Sequence, residues 1–196
     1  DWLAIHDNYG GKTIKRDQEA ADLKAKRIAD STAAGLIWPS LQYEVAENCM
    51  TCHGLAHPDL KADDLAKMLG AGHPINPDFE LVKYSQGSVR HRYYPPDIKT
   101  NAEMAPKDLA QIFVIGQAAA LVSATGAMSK SDEAKYKEAQ NERAENAKAV
   151  LKNIPEAADL LASPSRENAL KLSKAIDGKD LTSIVGSKLP AKPDYK

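Results

Sequence analysis

Cys49-Met50-Thr51-Cys52-His53 constrains this chain more than any other stretch. Two thiols separated by two residues can each form a thioether with one of the two vinyl groups of a porphyrin. The residue that follows then places an imidazole beneath the iron as its proximal axial ligand. Cys49 and Cys52 are the only cysteines in the chain, so this attachment would use both and leave none for a disulfide. The motif occurs once, and the expectation is one haem c, covalently attached through Cys49 and Cys52, with His53 on the iron. Two other chemistries use a CxxC pair. A thioredoxin-like dithiol needs a βαβ context, and the surroundings here read as helical. A structural zinc site needs four ligands, usually from two knuckles. A tetrahedron made of Cys49, Cys52, His53 and a distant histidine is awkward, because His53 directly follows Cys52.

The 196 residues suffice for one good core, or for one domain with a smaller module. A net charge of -1 gives no sign of a nucleic-acid or anionic-membrane surface. No run approaches the ~20 apolar residues that cross a bilayer, and the most apolar segment, 109–122, reads as a buried helix. The sequence opens at Asp1 rather than Met, as a processed chain would after loss of a signal peptide. In bacteria haem is attached to such a motif outside the cytoplasm, so a periplasmic or otherwise extracytoplasmic location follows from the cofactor.

The pattern of the rest is all-α. Between Ile14 and Ile37 the positions Ala21, Ala25, Ile28, Thr32 and Leu36 follow helical spacing. Pro39 opens a second helix that runs into Cys49, with Leu41 and Val45 on one face. Leu60, Leu65, Met68 and Leu69 predict a short helix stopped by Gly70-Ala71-Gly72. Residues 74–101 carry four prolines and little periodicity apart from a short helix near Phe79 to Tyr84, an irregular stretch suited to wrapping a cofactor. Pro106 opens the clearest helix, apolar on nearly every side beyond Leu109. From Ser131 to Ile154 the chain is charged, alanine-rich and helical, with Gln140, Ala144, Ala147, Leu151 and Ile154 along one stripe. Pro155 interrupts it, and Ser163-Pro164 predicts an N-cap and first helical residue for a helix to about Ile176. A short amphipathic piece covers 181–189, and 190–196 reads as a loose tail. The expected division is a haem domain with an N-terminal helical extension at 1–125, and a charged helical extension at 126–196 packed on it.

Around the motif the chain resembles the class I cytochrome c family. Cys49-Met50-Thr51-Cys52-His53-Gly54 matches that family's CxxCHG, and Ala102-Glu103-Met104-Ala105-Pro106 is similar to its methionine loop, which precedes a final helix. The resemblance spans roughly residues 38–123. Val45 stands where the family usually carries an aromatic, and Ala105 separates Met104 from Pro106. The resemblance implies a cytochrome c-like haem domain, here with additional helices at both ends, and Met104 as distal iron ligand. His73 and His91 compete for that position, as does an open site. His57 is too close to His53 to reach the opposite face, Met68 is explained by a helix face, and Met128 falls in a linker.

Arg90, Arg92, Tyr93 and Tyr94 form a second constellation, since guanidinium forks and phenol hydroxyls suit the two haem propionates. A solvated basic loop with packed tyrosines explains them equally well. Trp38 reads as core rather than pocket lining. The expected function is a soluble monohaem electron carrier rather than an enzyme. Its redox partners would be a periplasmic dehydrogenase, a membrane complex or a terminal reductase, with no nucleic acid and no transmembrane segment. The alternatives are a five-coordinate haem protein acting on NO, CO or peroxide, and a dedicated subunit of a larger redox complex.

Overall fold

The computed structural model describes residues 3–5, 18–87 and 104–196, and every regular element among them is helical. The chain divides into two compact units, 1–41 and 42–196.

In the first unit, helix α1 spans Ala21–Ala33 and ends where Gly35 adopts a φ of +97°, a conformation that costs glycine nothing. The apolar stripe expected along it does not form its buried face: Ala21, Ala25 and Thr32 are exposed, and the buried residues are Arg27 and Ser31. The reason is electrostatic. Arg27 Nε and Nη2 donate to the two carboxylate oxygens of Glu19, each at 2.7 Å, and the guanidinium lies 5.5 Å from the centre of the Trp38 ring. A bidentate fork with an aromatic cover compensates desolvation that an unpaired charge could not tolerate. Trp38 therefore carries a cation rather than an apolar core.

The second unit begins at helix α2, Gln42–His53. This start lies three residues beyond Pro39, because a turn closed by Leu41 N–H to the Trp38 carbonyl intervenes. Helix α3 spans Ala62–Gly70 and stops at Gly72, φ +86°. The short α4, Leu81–Ser85, is capped by Glu80, whose carboxylate accepts from the Val82 and Lys83 amides at 2.9 and 2.8 Å. Burial nevertheless holds the Glu80 carboxyl above the usual carboxylate range.

Helix α5, Pro106–Ala127, is the centre of this unit. It runs further than the apolar segment in the sequence and is long and apolar enough to cross a membrane, but most of that face is covered by protein. Ile112, Ile115 and Leu121 are fully buried, each burial being worth about 1.5–3 kcal/mol. Helices α2, α4, α6 (Ala134–Leu151), α8 (Arg166–Ala175) and α9 (Thr182–Val185) all pack on it. Gly116 admits α4, since a Cβ there would stand 3.0 Å from Leu81 Cβ. The stripe expected on α6 is present: Gln140, Ala144, Ala147 and Leu151 are buried, as is Ile154 beyond it.

A 3₁₀ turn at Pro155–Ala157 and the short α7, Ala158–Ala162, follow. The N-cap of α8 is Ser165 rather than Ser163: its hydroxyl accepts from the Asn168 amide at 3.2 Å, and the Ser163 carbonyl instead receives the Asn168 side chain at 2.9 Å. Arg166 ties this helix to α2 by donating to Glu47 at 3.0 Å. The expected loose tail is docked. Lys196 N–H donates to the Lys83 carbonyl at 3.0 Å, and its ammonium lies 3.2 Å from Tyr84 Oη.

Candidate functional site

The last turn of α2 carries Cys49, Cys52 and His53, and the helix ends immediately after them. Leu55 N–H bonds the Cys52 carbonyl and Ala56 N–H bonds the Thr51 carbonyl, both at 3.0 Å. This is a Schellman cap with Gly54 at the C-cap and Leu55, φ +49°, in the left-handed position that glycine usually fills. A leucine there costs roughly 1 kcal/mol, and it is retained because its side chain is buried with Leu65, Ala127 and Tyr136. The cap holds the thiols and the imidazole in helical register until the chain turns away.

The turn is held from outside by one face of α6. Tyr136 Oη donates to the Leu55 carbonyl at 2.8 Å, and Gln140 Nε2 and Arg143 Nη1 donate to the Gly54 carbonyl at 2.8 and 3.2 Å. Residues 136, 140 and 143 follow helical spacing, so a single face delivers all three donors. Arg143 also bonds the Gln140 side-chain oxygen, and its Nη2 reaches Met50 Sδ and Ser123 Oγ, each at 3.3 Å. Gly54 is required for space rather than for backbone freedom. A Cβ there would stand 2.5 Å from the Met50 carbonyl oxygen and 2.7 Å from both Arg143 terminal nitrogens. Beyond the turn, Lys130 donates to the carbonyls of His57 and Pro58 at 2.8 and 3.3 Å.

Both thiols are free, Cys49 half-buried against the core and Cys52 exposed. Burial pushes the Cys49 thiol up, with Cys52 adding to the effect. The His53 ring stacks on Phe79 with centroids 4.0 Å apart and planes 9° apart, and Tyr84 stands 5.6 Å away. Stacking occupies a face of the imidazole and leaves both nitrogens on its edge. Neither forms a hydrogen bond among the described residues; the residue is exposed, and partial desolvation lowers the His53 pKa.

These features fit a covalently held haem. Thioether attachment needs sulfurs set apart along a porphyrin edge, whereas zinc needs donors converging to about 2.3 Å. Among the described residues no three His, Cys, Asp or Glu side chains converge as metal ligands. The i, i+3 cysteines share one helix face, and the adjacent imidazole keeps its edge open.

Met104 is half-buried and packs against the main core, where Gln86 Nε2 donates to its sulfur at 3.4 Å. Gln86 is the C-cap of α4, so this short helix reaches both His53, through Tyr84, and Met104, through Gln86. A thioether sulfur has two lone pairs, so one hydrogen bond leaves the other for a metal. Among the competing histidines, His73 is exposed with Nδ1 2.9 Å from the Pro74 carbonyl, and His57 accepts from the Asp59 amide at 3.2 Å. Met68 packs in the second apolar cluster, and Met128 against the main core. Arg90, His91, Arg92, Tyr93 and Tyr94 lie outside the described residues. Sequence reasoning missed Phe79, Tyr84, Gln86 and the α6 donors. The helical spacing of Tyr136, Gln140 and Arg143 was a visible signal for the last group.

Compared with known protein families, characterised proteins and solved structures, the chain matches none.

Proposed function

We propose that this chain is a monohaem c-type cytochrome that carries one electron between redox proteins, with a cytochrome c-like arrangement around the motif. The observation that carries the reading is the last turn of α2, with two free thiols three residues apart and an imidazole held by Phe79 with its edge open. A haem there would supply a reversible Fe(III)/Fe(II) couple. Cys49 and Cys52 would hold it, and His53 and Met104 would supply ligands to its iron. Thioether ligation raises the potential relative to a second imidazole. A saturated iron keeps its ligands between oxidation states and leaves no position for a substrate, which suits a carrier. Cys52 is exposed, and electrons would pass through a haem edge near it to a partner such as a periplasmic dehydrogenase, a membrane complex or a terminal reductase.

The test uses protein exported together with a haem-attachment system. Optical and EPR spectra should report one low-spin haem, inert to CO when reduced. Met104→Leu should convert it to a species that binds CO rapidly. Rapid CO binding by the unsubstituted protein would instead favour a five-coordinate haem acting on NO, CO or peroxide.

A further inference from the structure

We infer that Arg143 is a positioning residue that raises the reduction potential of the group held at Cys49–His53, by placing an uncompensated positive charge on the turn that carries it. The inference rests on the haem reading above.

Arg143 is only 3% exposed. Burial draws its pKa down to about 10, which leaves it charged at neutral pH. Its partners are the Gly54 carbonyl, the Gln140 amide oxygen, Met50 Sδ and Ser123 Oγ, all neutral. Among the described residues no carboxylate stands within ion-pair distance. Asp78 and Glu80 share a cleft with it, but neither is bonded to it, and Glu80 spends both oxygens on the amides that open α4. This contrasts with Arg27, which takes both oxygens of Glu19, and with Arg166, which is paired with Glu47.

Two of the groups Arg143 touches are chain neighbours of the motif's reactive residues. Met50 follows Cys49 and Gly54 follows His53. A neutral amide donor at position 143 could also bond the Gly54 carbonyl, as Gln140 does. Arginine adds a fixed charge in a poorly hydrated place, where charge acts at longer range than at the surface. A cation on the turn that bears the ligands would favour the state with less positive charge, Fe(II), and so raise the potential.

The test measures midpoint potentials of haem-loaded protein carrying Arg143→Met, Arg143→Lys and, separately, Ser123→Asp. The last keeps the arginine and puts a carboxylate beside it, which also covers failure of Arg143→Met to fold. Arg143→Met should shift the Fe(III)/Fe(II) equilibrium at least tenfold toward Fe(III), about 59 mV for one electron. Arg143→Lys should stay within about threefold of the parent, and Ser123→Asp should move in the same direction as Arg143→Met, with unchanged axial-ligand spectra. Equal shifts for the Lys and Met variants, or no shift in Ser123→Asp, would overturn the inference and leave the haem reading intact. Parent protein without covalent haem, seen directly in its mass, would overturn both.

Discussion

Gly54→Ala is the sharpest perturbation of the motif turn, because the glycine is there for room. The new Cβ would meet the Met50 carbonyl oxygen at 2.5 Å and both Arg143 terminal nitrogens at 2.7 Å, each well inside van der Waals contact. The Met50 oxygen cannot retreat easily, since it already accepts the Gly54 amide at 3.0 Å. The guanidinium can swing aside only by giving up its bond to the Gly54 carbonyl, and the Met50 contact remains as strain. Overpacking costs about 1–3 kcal/mol, and loss of a buried hydrogen bond from a charged donor adds about 1.5–3 kcal/mol. The lower entropy of an unfolded alanine returns about 0.4–1 kcal/mol. The expected loss is therefore about 1.5–5.5 kcal/mol in urea denaturation followed by helical circular dichroism, or about 3–22 °C in Tm for a chain of this size. In an Arg143→Ala background the same substitution should cost about 1.5–3 kcal/mol less, because only the Met50 contact remains. A Gly54→Ala protein within about 1 kcal/mol of the parent would refute the α6 clamp on the turn.

Tyr136→Phe removes the donor to the Leu55 carbonyl and leaves the ring packed, so it should cost about 1–3 kcal/mol in the same assay. Glu80 gives a pH signature. Its folded-state pKa is raised by burial above the ordinary 4.5, so the folded protein binds this proton more tightly than the unfolded chain. Its effect favours folding below pH 4.5 and is lost as pH rises through the raised value. The stability of the parent minus that of Glu80→Gln should therefore fall as pH rises above the ordinary 4.5, and a rise there would contradict the burial argument.

Local signals were legible in the sequence where one physical effect dominates. The glycines after Leu69 stop α3, proline at its first residue starts α5, and the apolar stripe of α6 is its buried face, whereas the pattern read through to Ile37 overran the end of α1 at Ala33, where Gly35 takes a positive φ. The helix that runs into the motif was also legible, although it starts at Gln42 rather than at Pro39. What escaped were pairings between distant residues. The Arg27–Glu19 pair buries a face that propensity reads as polar, and its Trp38 contact has no periodic signature. Ser163 and Ser165 are equally good caps on paper, and only the path of the chain chooses between them. The docked tail, the Phe79 stack on His53 and the Gln86 contact to Met104 depend on α4, five residues long, whose position is set by Gly116 on α5. On α6 the sequence places Gln140 on the packed stripe but carries no sign that Gln140, Tyr136 and Arg143 together hold the motif turn.

The measurement closest to the central claim is the intact mass of the chain recovered from a compartment that attaches haem, followed by alkylation of its thiols under denaturing conditions. The account predicts a mass increased by one haem, neither Cys49 nor Cys52 alkylated, and the increment retained on a peptide containing Cys49–His53. An unmodified mass with two alkylated thiols would contradict it.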